Sequence, residues 1–159
     1  VSKKNLKVKR KIHLMPLTKD HTAQRSDERL RVISAGADLR PSKSGQHELF
    51  APGERWPGIP VTRCLGNLVA HQYGVIHVPE VVDLDTKGEA GLEAMFAVLA
   101  TDGIWGVLKD SEVLAILKES FEENLAYGIE QLVLRARQRW LSLDNGGVVD
   151  DITALVLRL

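Results

Sequence analysis

One cysteine, Cys64, is all the sequence holds, so an internal disulfide and a cysteine-rich zinc site are both excluded. Such sparse cysteine leads us to expect a reducing intracellular setting, cytoplasmic or nuclear. Long hydrophobic runs are missing too. The longest, Ala94 to Ala100, is seven residues, against the roughly 20 of a membrane-crossing helix, so no membrane partner is expected. Neither charge is in excess, since 21 Lys and Arg balance 21 Asp and Glu. Without a basic field over the whole domain, no nucleic-acid partner is expected. The sequence also lacks a P-loop, a Gly-rich dinucleotide fingerprint and a nucleophile-elbow serine. His13, His21, His47, His71 and His77 show no short ligand spacing, and Trp56, Trp105 and Trp140 are too far apart to read as a stacking platform.

What is present fits a single domain over residues 1–159, with an apolar fraction of 44% and a charged fraction of 26%. The charge is uneven. Lys3, Lys4, Lys7, Lys9, Arg10 and Lys11 crowd the N-terminus without an acid, leaving the remainder acidic. Residue 1 is Val and no signal-peptide core follows it, which leads us to expect a processed or truncated piece.

Alternation over residues 6–15 sets Leu6, Val8, Ile12 and Leu14 against Lys7, Lys9, Lys11 and His13, the pattern of a half-buried strand. Its basic face reads either as a phosphate- or acid-binding stripe or as a solvated face that resists edge pairing. A second strand is expected over Leu30–Ser34 and a third near His47–Phe50, joined as a hairpin through the Pro41-to-Gly45 turn. Pro52-Gly53 and Trp56-Pro57-Gly58 mark an exposed loop. Two short strands broken at Pro79 are expected between Tyr73 and Leu84. Met95–Ala100 reads as a strand buried on both faces. A helix is expected from Ser111, capped by its hydroxyl, through Leu117. A longer helix over Leu125–Leu141 follows from Ile129, Leu132, Val133, Ala136 and Trp140 at helical spacing. After a turn at Asp144–Gly147, Ile152–Leu159 closes the chain as an apolar strand. Short strands and helices without regular βαβ alternation imply an α+β fold with mostly antiparallel sheet.

Asp102 follows one predicted strand, and Asp150, with Asp151 beside it, precedes another. If the two strands are antiparallel neighbours, the carboxylates share one rim, a place suited to Mg²⁺ or Mn²⁺. An aspartate in a turn or before a strand is also commonplace, so from pattern alone both readings stand.

Several segments, in order, resemble the metal-dependent protein phosphatases of type 2C. Leu17-Thr18-Lys19-Asp20-His21 with Glu28 and Arg31-Val32-Ile33 is similar to L-T-x-D-H followed by E-x-x-R-I. Gly36-Ala37-Asp38-Leu39 resembles G-G-x-V, and the stretch from Gly58 to Asn67 resembles G-L-A-V-T-R-A-L-G-D. Pro79-Glu80-Val81 matches P-E-V, the stretch from Leu99 to Trp105 is similar to L-A-S-D-G-L-W, and Ser111-Glu112-Val113 opens the usual helix. The stretch from Gly147 to Thr153 resembles G-S-x-D-N-I-T. The resemblance covers residues 17–159. It implies two packed antiparallel sheets flanked by helices (αββα), incomplete on the N-terminal side, and a centre of two Mg²⁺ or Mn²⁺ ions.

By position, Asp102 and Asp150 fall on the family's metal-binding aspartates. Gly103 and Asp151 lie beside them on the rim, and Trp56 and Arg63 fall in the loop flanking the substrate. The implied activity is hydrolysis of phosphoserine or phosphothreonine in a phosphoprotein by a metal-activated water, with no catalytic side chain acting as nucleophile. The alternative is a non-catalytic phosphatase-like module used for binding or regulation. Nothing in residues 1–20 resembles the family's phosphate-binding Arg or its D-G-H-G-G segment. Gly106 stands where many members carry an acid, Asn67 replaces Asp, and Asp151 replaces Asn. The expectation is therefore a C-terminal portion of the domain, inactive alone, completed by the missing N-terminal half or by a dimer mate.

Overall fold

The computed structural model describes residues 14–42, 45–84, 96–120, 124–143 and 148–159. They gather in two compact units, one of Pro16–Asp83 and one of Leu14, Met15 and the described residues from Leu84 onward.

In the first unit, helix α1 (Ser26–Ser34) is followed by strands β1 (Asp38–Pro41), β2 (His47–Phe50) and β3 (Pro57–Ile59), then by the single-turn helix α2 (Leu68–His71). The strands form an antiparallel sheet in the order β1-β2-β3. The expected hairpin therefore exists, but its first strand is β1. Leu30–Ser34, expected as a strand, lies in α1. Asp27 and Glu28 occupy the helix's first turn, where acids favour the positive end of the dipole. Glu28 and Val32, one turn apart, form its buried face. Val32, Leu49, Ala70 and Val75 make the core of this unit.

No regular strand forms between Tyr73 and Leu84. Ile76 makes one parallel bridge to Arg63, while the Gly74 and Val78 carbonyls accept from the guanidinium groups of Arg31 and Arg63. Side chains take up the main-chain acceptors that a sheet ladder would use.

The second unit has strand β4 (Phe96–Ala100), the one-turn helix α3 (Asp102–Trp105), helices α4 (Asp110–Ser120) and α5 (Leu125–Ser142), and strand β5 (Ala154–Arg158). Strands β4 and β5 pair antiparallel, with Ala100 opposite Ala154 and Phe96 opposite Arg158. Phe96, Val98 and Ala100 pack on a core of Ile104, Leu108, Val113, Leu117, Leu132, Ala136 and Val156. Contrary to expectation, β4 is not buried on both faces. Leu99 is half exposed, as are Leu155 and Leu157 across the ladder, because alternate residues point away from this unit's core.

Helix α4 is capped differently from the expectation. The Glu112 carboxylate accepts from the Lys109 backbone N–H at 3.0 Å, and Ser111 lies within the helix. This is the reciprocal, glutamate-side half of a capping box. Helix α5 starts where the Asn124 side chain accepts from the Tyr127 N–H at 3.1 Å. The predicted strand over residues 6–15 and the turn at 144–147 lie outside the described residues, apart from Leu14 and Met15, which belong to no regular element.

Candidate functional site

The β4–β5 register decides where the aspartates lie. One residue past the last pair, the Thr101 N–H donates to the Thr153 carbonyl at 3.0 Å. The Thr101 hydroxyl donates to the Asp151 carbonyl at 2.9 Å and accepts from the Thr153 N–H at 3.1 Å. Three hydrogen bonds thus lock the end of β4 to the approach to β5. Asp102, the first residue of α3, and Asp150 and Asp151, just ahead of β5, stand exposed at this one rim.

Gly103 is there for space. A Cβ at this position would lie 2.2 Å from the Asp151 carbonyl oxygen, so only glycine lets the two backbones meet. Gly106 has a similar constraint, since its N–H donates to the Asp102 carbonyl at 2.7 Å and a Cβ would lie 2.6 Å from that oxygen. With this backbone, a side chain at position 106 would crowd the Asp102 carbonyl. Asn67 has a structural use as well. It sits at φ 51° and ψ 58° and its side chain caps α2 through the Ala70 N–H, a left-handed conformation that Asn tolerates.

Asp150 Oδ1 accepts from the Asp151 N–H at 2.8 Å. Among the described residues no ion pair reaches Asp102, Asp150 or Asp151. Among the described residues, then, the rim carries carboxylates that no Lys or Arg side chain pairs, oxygen donors of the hard type that Mg²⁺ and Mn²⁺ prefer.

The other acidic group has the opposite character. Asp27, Glu28 and Glu80 bring ligand oxygens within 4.8 Å of one another, but arginines already neutralise them. Glu28 is fully buried and accepts from Arg31 Nη1 at 2.9 Å, from Arg63 Nη2 at 2.6 Å and from the Thr62 hydroxyl. Burial pushes the Glu28 carboxyl up, but the hydrogen bonds from Arg31, Arg63 and Thr62 outweigh it and hold the carboxyl well below its usual range. Glu80 accepts from Arg25 at 2.7 and 2.9 Å, from Arg63 at 2.9 Å and lies 3.1 Å from His21 Nε2. The hydrogen bonds from Arg25, with His21 close by, lower it to about 2. Asp27, bonded to Arg25, is likewise lowered to about 2.

Arg63, expected beside the substrate, belongs to this network. It makes four hydrogen bonds, to Glu28, Glu80 and the Val78 carbonyl, and its side chain is 14% exposed. It joins α1 to the Pro79–Glu80 segment. Trp56 stands half exposed in the loop between β2 and β3, its carbonyl accepting from the Ala51 N–H at 2.9 Å. Both residues belong to the unit that does not contain Asp102.

Sequence reasoning missed Trp140 as a site residue. It reads as one more apolar position on α5, yet its indole N–H donates to the Gly103 carbonyl at 2.8 Å. Its place four residues after Ala136, at the end of the buried stripe, is the only local signal.

Comparison with known proteins bears on the whole arrangement. The family described as Protein phosphatase 2C matches residues 6–141; Asp102 falls inside that match and Asp150 beyond it. "Probable protein phosphatase 2C 12" of Oryza sativa subsp. japonica is 32% identical over 150 residues, 93% of this chain and 37% of the relative. "Probable protein phosphatase 2C 34" of Arabidopsis thaliana is 29% identical over 143 residues, 89% of this chain and 38% of the relative. The chain thus spans somewhat over a third of the length of these relatives. Among solved structures, the serine-threonine phosphatase 2C from Toxoplasma gondii superposes with a TM-score of 0.66 at 21% identity, over 88% of this chain and 45% of that one. The ordered motifs, the α+β fold and the family match agree, and the chain belongs to the protein phosphatase 2C family.

Proposed function

We propose that this chain is the metal-binding C-terminal portion of a protein serine/threonine phosphatase, with Asp102 and Asp150 as ligands for Mg²⁺ or Mn²⁺. The observation that supports it most is the β4–β5 register, which sets two carboxylates, unpaired with any cation among the described residues, on one rim at the positions where the family resemblance puts metal ligands. When bound, the ions supply Lewis-acid polarisation and a water acidic enough to attack phosphorus near neutral pH.

The chain's own residues hold and orient. Thr101 fixes the end of β4 against Asp151, Gly103 permits the close approach, and buried Ile104 anchors α3 beneath Asp102. Asp151 adds anionic charge at the same edge. The remaining ligands and the phosphate-binding group belong to the part of the family domain outside this similarity, and the substrate is a phosphoserine or phosphothreonine protein.

The test is phosphate release from a phosphothreonine peptide by the intact protein. Release should require Mn²⁺ or Mg²⁺, stop with EDTA and return when the metal is restored. Release that survives EDTA, or none across a full titration of both metals, would contradict this reading.

A further inference from the structure

The helix that carries Asp102 is a single turn. One turn gains little from its own hydrogen bonds, because nucleating a helix fixes several dihedrals for each bond made. Its placement must come from ties to its surroundings: Ile104 is sunk in the core, and hydrogen bonds hold the segment on two sides. On one side Thr101 is bonded to Asp151 and Thr153. On the other, the Trp140 indole N–H donates to the Gly103 carbonyl at 2.8 Å.

The second tie comes from the far end of α5. Gly128, Leu132 and Ala136 are its buried residues, spaced by one turn, and Trp140 continues the same row. The row seats the helix on the core formed with Ile104, Leu117 and Val156, so the indole arrives on a rigid support. Its ring fills the place beside Gly106, where a Cβ would lie 3.5 Å from Cζ2. Gly106 in turn donates to the Asp102 carbonyl at 2.7 Å. Trp140 is therefore bonded to the residue after Asp102, and its ring lies beside Gly106 at the segment's far end. Phe could supply a half-buried ring at this place as well. The N–H is what Trp adds, and it is aimed at the residue next to the ligand.

We propose that Trp140 is a positioning residue for the metal rim, holding the Asp102–Gly103 backbone through its indole N–H so that the Asp102 carboxylate meets the ion with little reorganisation. This rests on the reading of Asp102 as a metal ligand. Groups that orient a ligand from behind commonly change metal affinity by about 10- to 100-fold when removed.

Mn²⁺ binding to the intact protein, followed by calorimetric titration without substrate, tests it. Trp140→Phe should weaken binding about tenfold, while Asp102→Asn should weaken it far more. A second variant with benzothienylalanine at position 140 keeps the ring shape, removes only the N–H, and should reproduce the Phe effect even if the Phe protein folds poorly. Unchanged affinity in the benzothienylalanine protein, alongside loss in Asp102→Asn, would overturn the role of Trp140 alone. Unchanged affinity in Asp102→Asn would overturn the metal reading itself, and with it this proposal.

Discussion

Glu28 shows what a single residue does in this fold. Its carboxylate is fully buried and is opposed by two guanidinium groups and a hydroxyl. Removing one partner of such a set leaves buried charge without compensation, at a cost of about 3–5 kcal/mol. Glu28→Ala should therefore lower the stability of the intact protein by about that amount in urea denaturation. A loss below ~1 kcal/mol would show that the network is solvated in solution. The pH dependence follows from the same group and its neighbours. Glu28, Asp27 and Glu80 all hold carboxyl groups below their ordinary values, the last two at about 2. The unfolded chain then binds more protons than the folded one as pH falls. Stability should be full above about pH 5 and drop progressively toward about pH 2, with a shallower drop in Glu28→Gln. An equally steep drop in that variant would place the acid sensitivity elsewhere.

Among the elements, the β4–β5 ladder matters most, and Gly103 is where it is most sensitive. With a methyl group forced to 2.2 Å from the Asp151 carbonyl, Gly103→Ala must move one backbone. Overpacking of this kind costs about 1–3 kcal/mol. Thermal denaturation should show the loss, and Mn²⁺ affinity should fall with it as Asp102 parts from Asp150. Unchanged affinity would mean that the ligands tolerate a shift of the rim. The two strands were legible in the sequence from the apolar runs ending at Ala100 and beginning at Ile152; their pairing, which the sequence left as a condition, is what the register adds. Helix α5 was legible from its period. Helix α1 was not: Leu30, Val32 and Ile33 imitate a strand, and what settles the segment is the pairing of Glu28 with Arg31 three residues on and with Arg63 across the unit. The Tyr73–Leu84 stretch misled for a related reason. Its valines suit a strand, but arginine side chains hold its carbonyls. Long-range partners of this sort have no fixed spacing in sequence, and the Trp140 bond to Gly103 is another example.

At the scale of the whole molecule, the motif positions divide by their chemistry. His21, Glu28, Arg31, Thr62, Arg63 and Glu80, scattered over four of the family's motifs, converge on one charge-balanced network that holds its unit together. Asp102, Asp150 and Asp151 converge on a rim with no balancing cation among the described residues. The first set has its charge satisfied within the described residues, and the second does not. That contrast is the basis for assigning metal binding to Asp102 and Asp150 and structural bracing to Arg63.

The most direct test of that assignment is phosphate release at saturating Mn²⁺ by the intact protein and by Asp102→Asn, Asp150→Asn and the double variant. If the two aspartates serve one metal centre, each single variant should lose activity by on the order of 100-fold or more. The double variant should then be little worse than either, because residues acting as a unit are not additive. Activity within about threefold of wild type in either single variant would contradict the account.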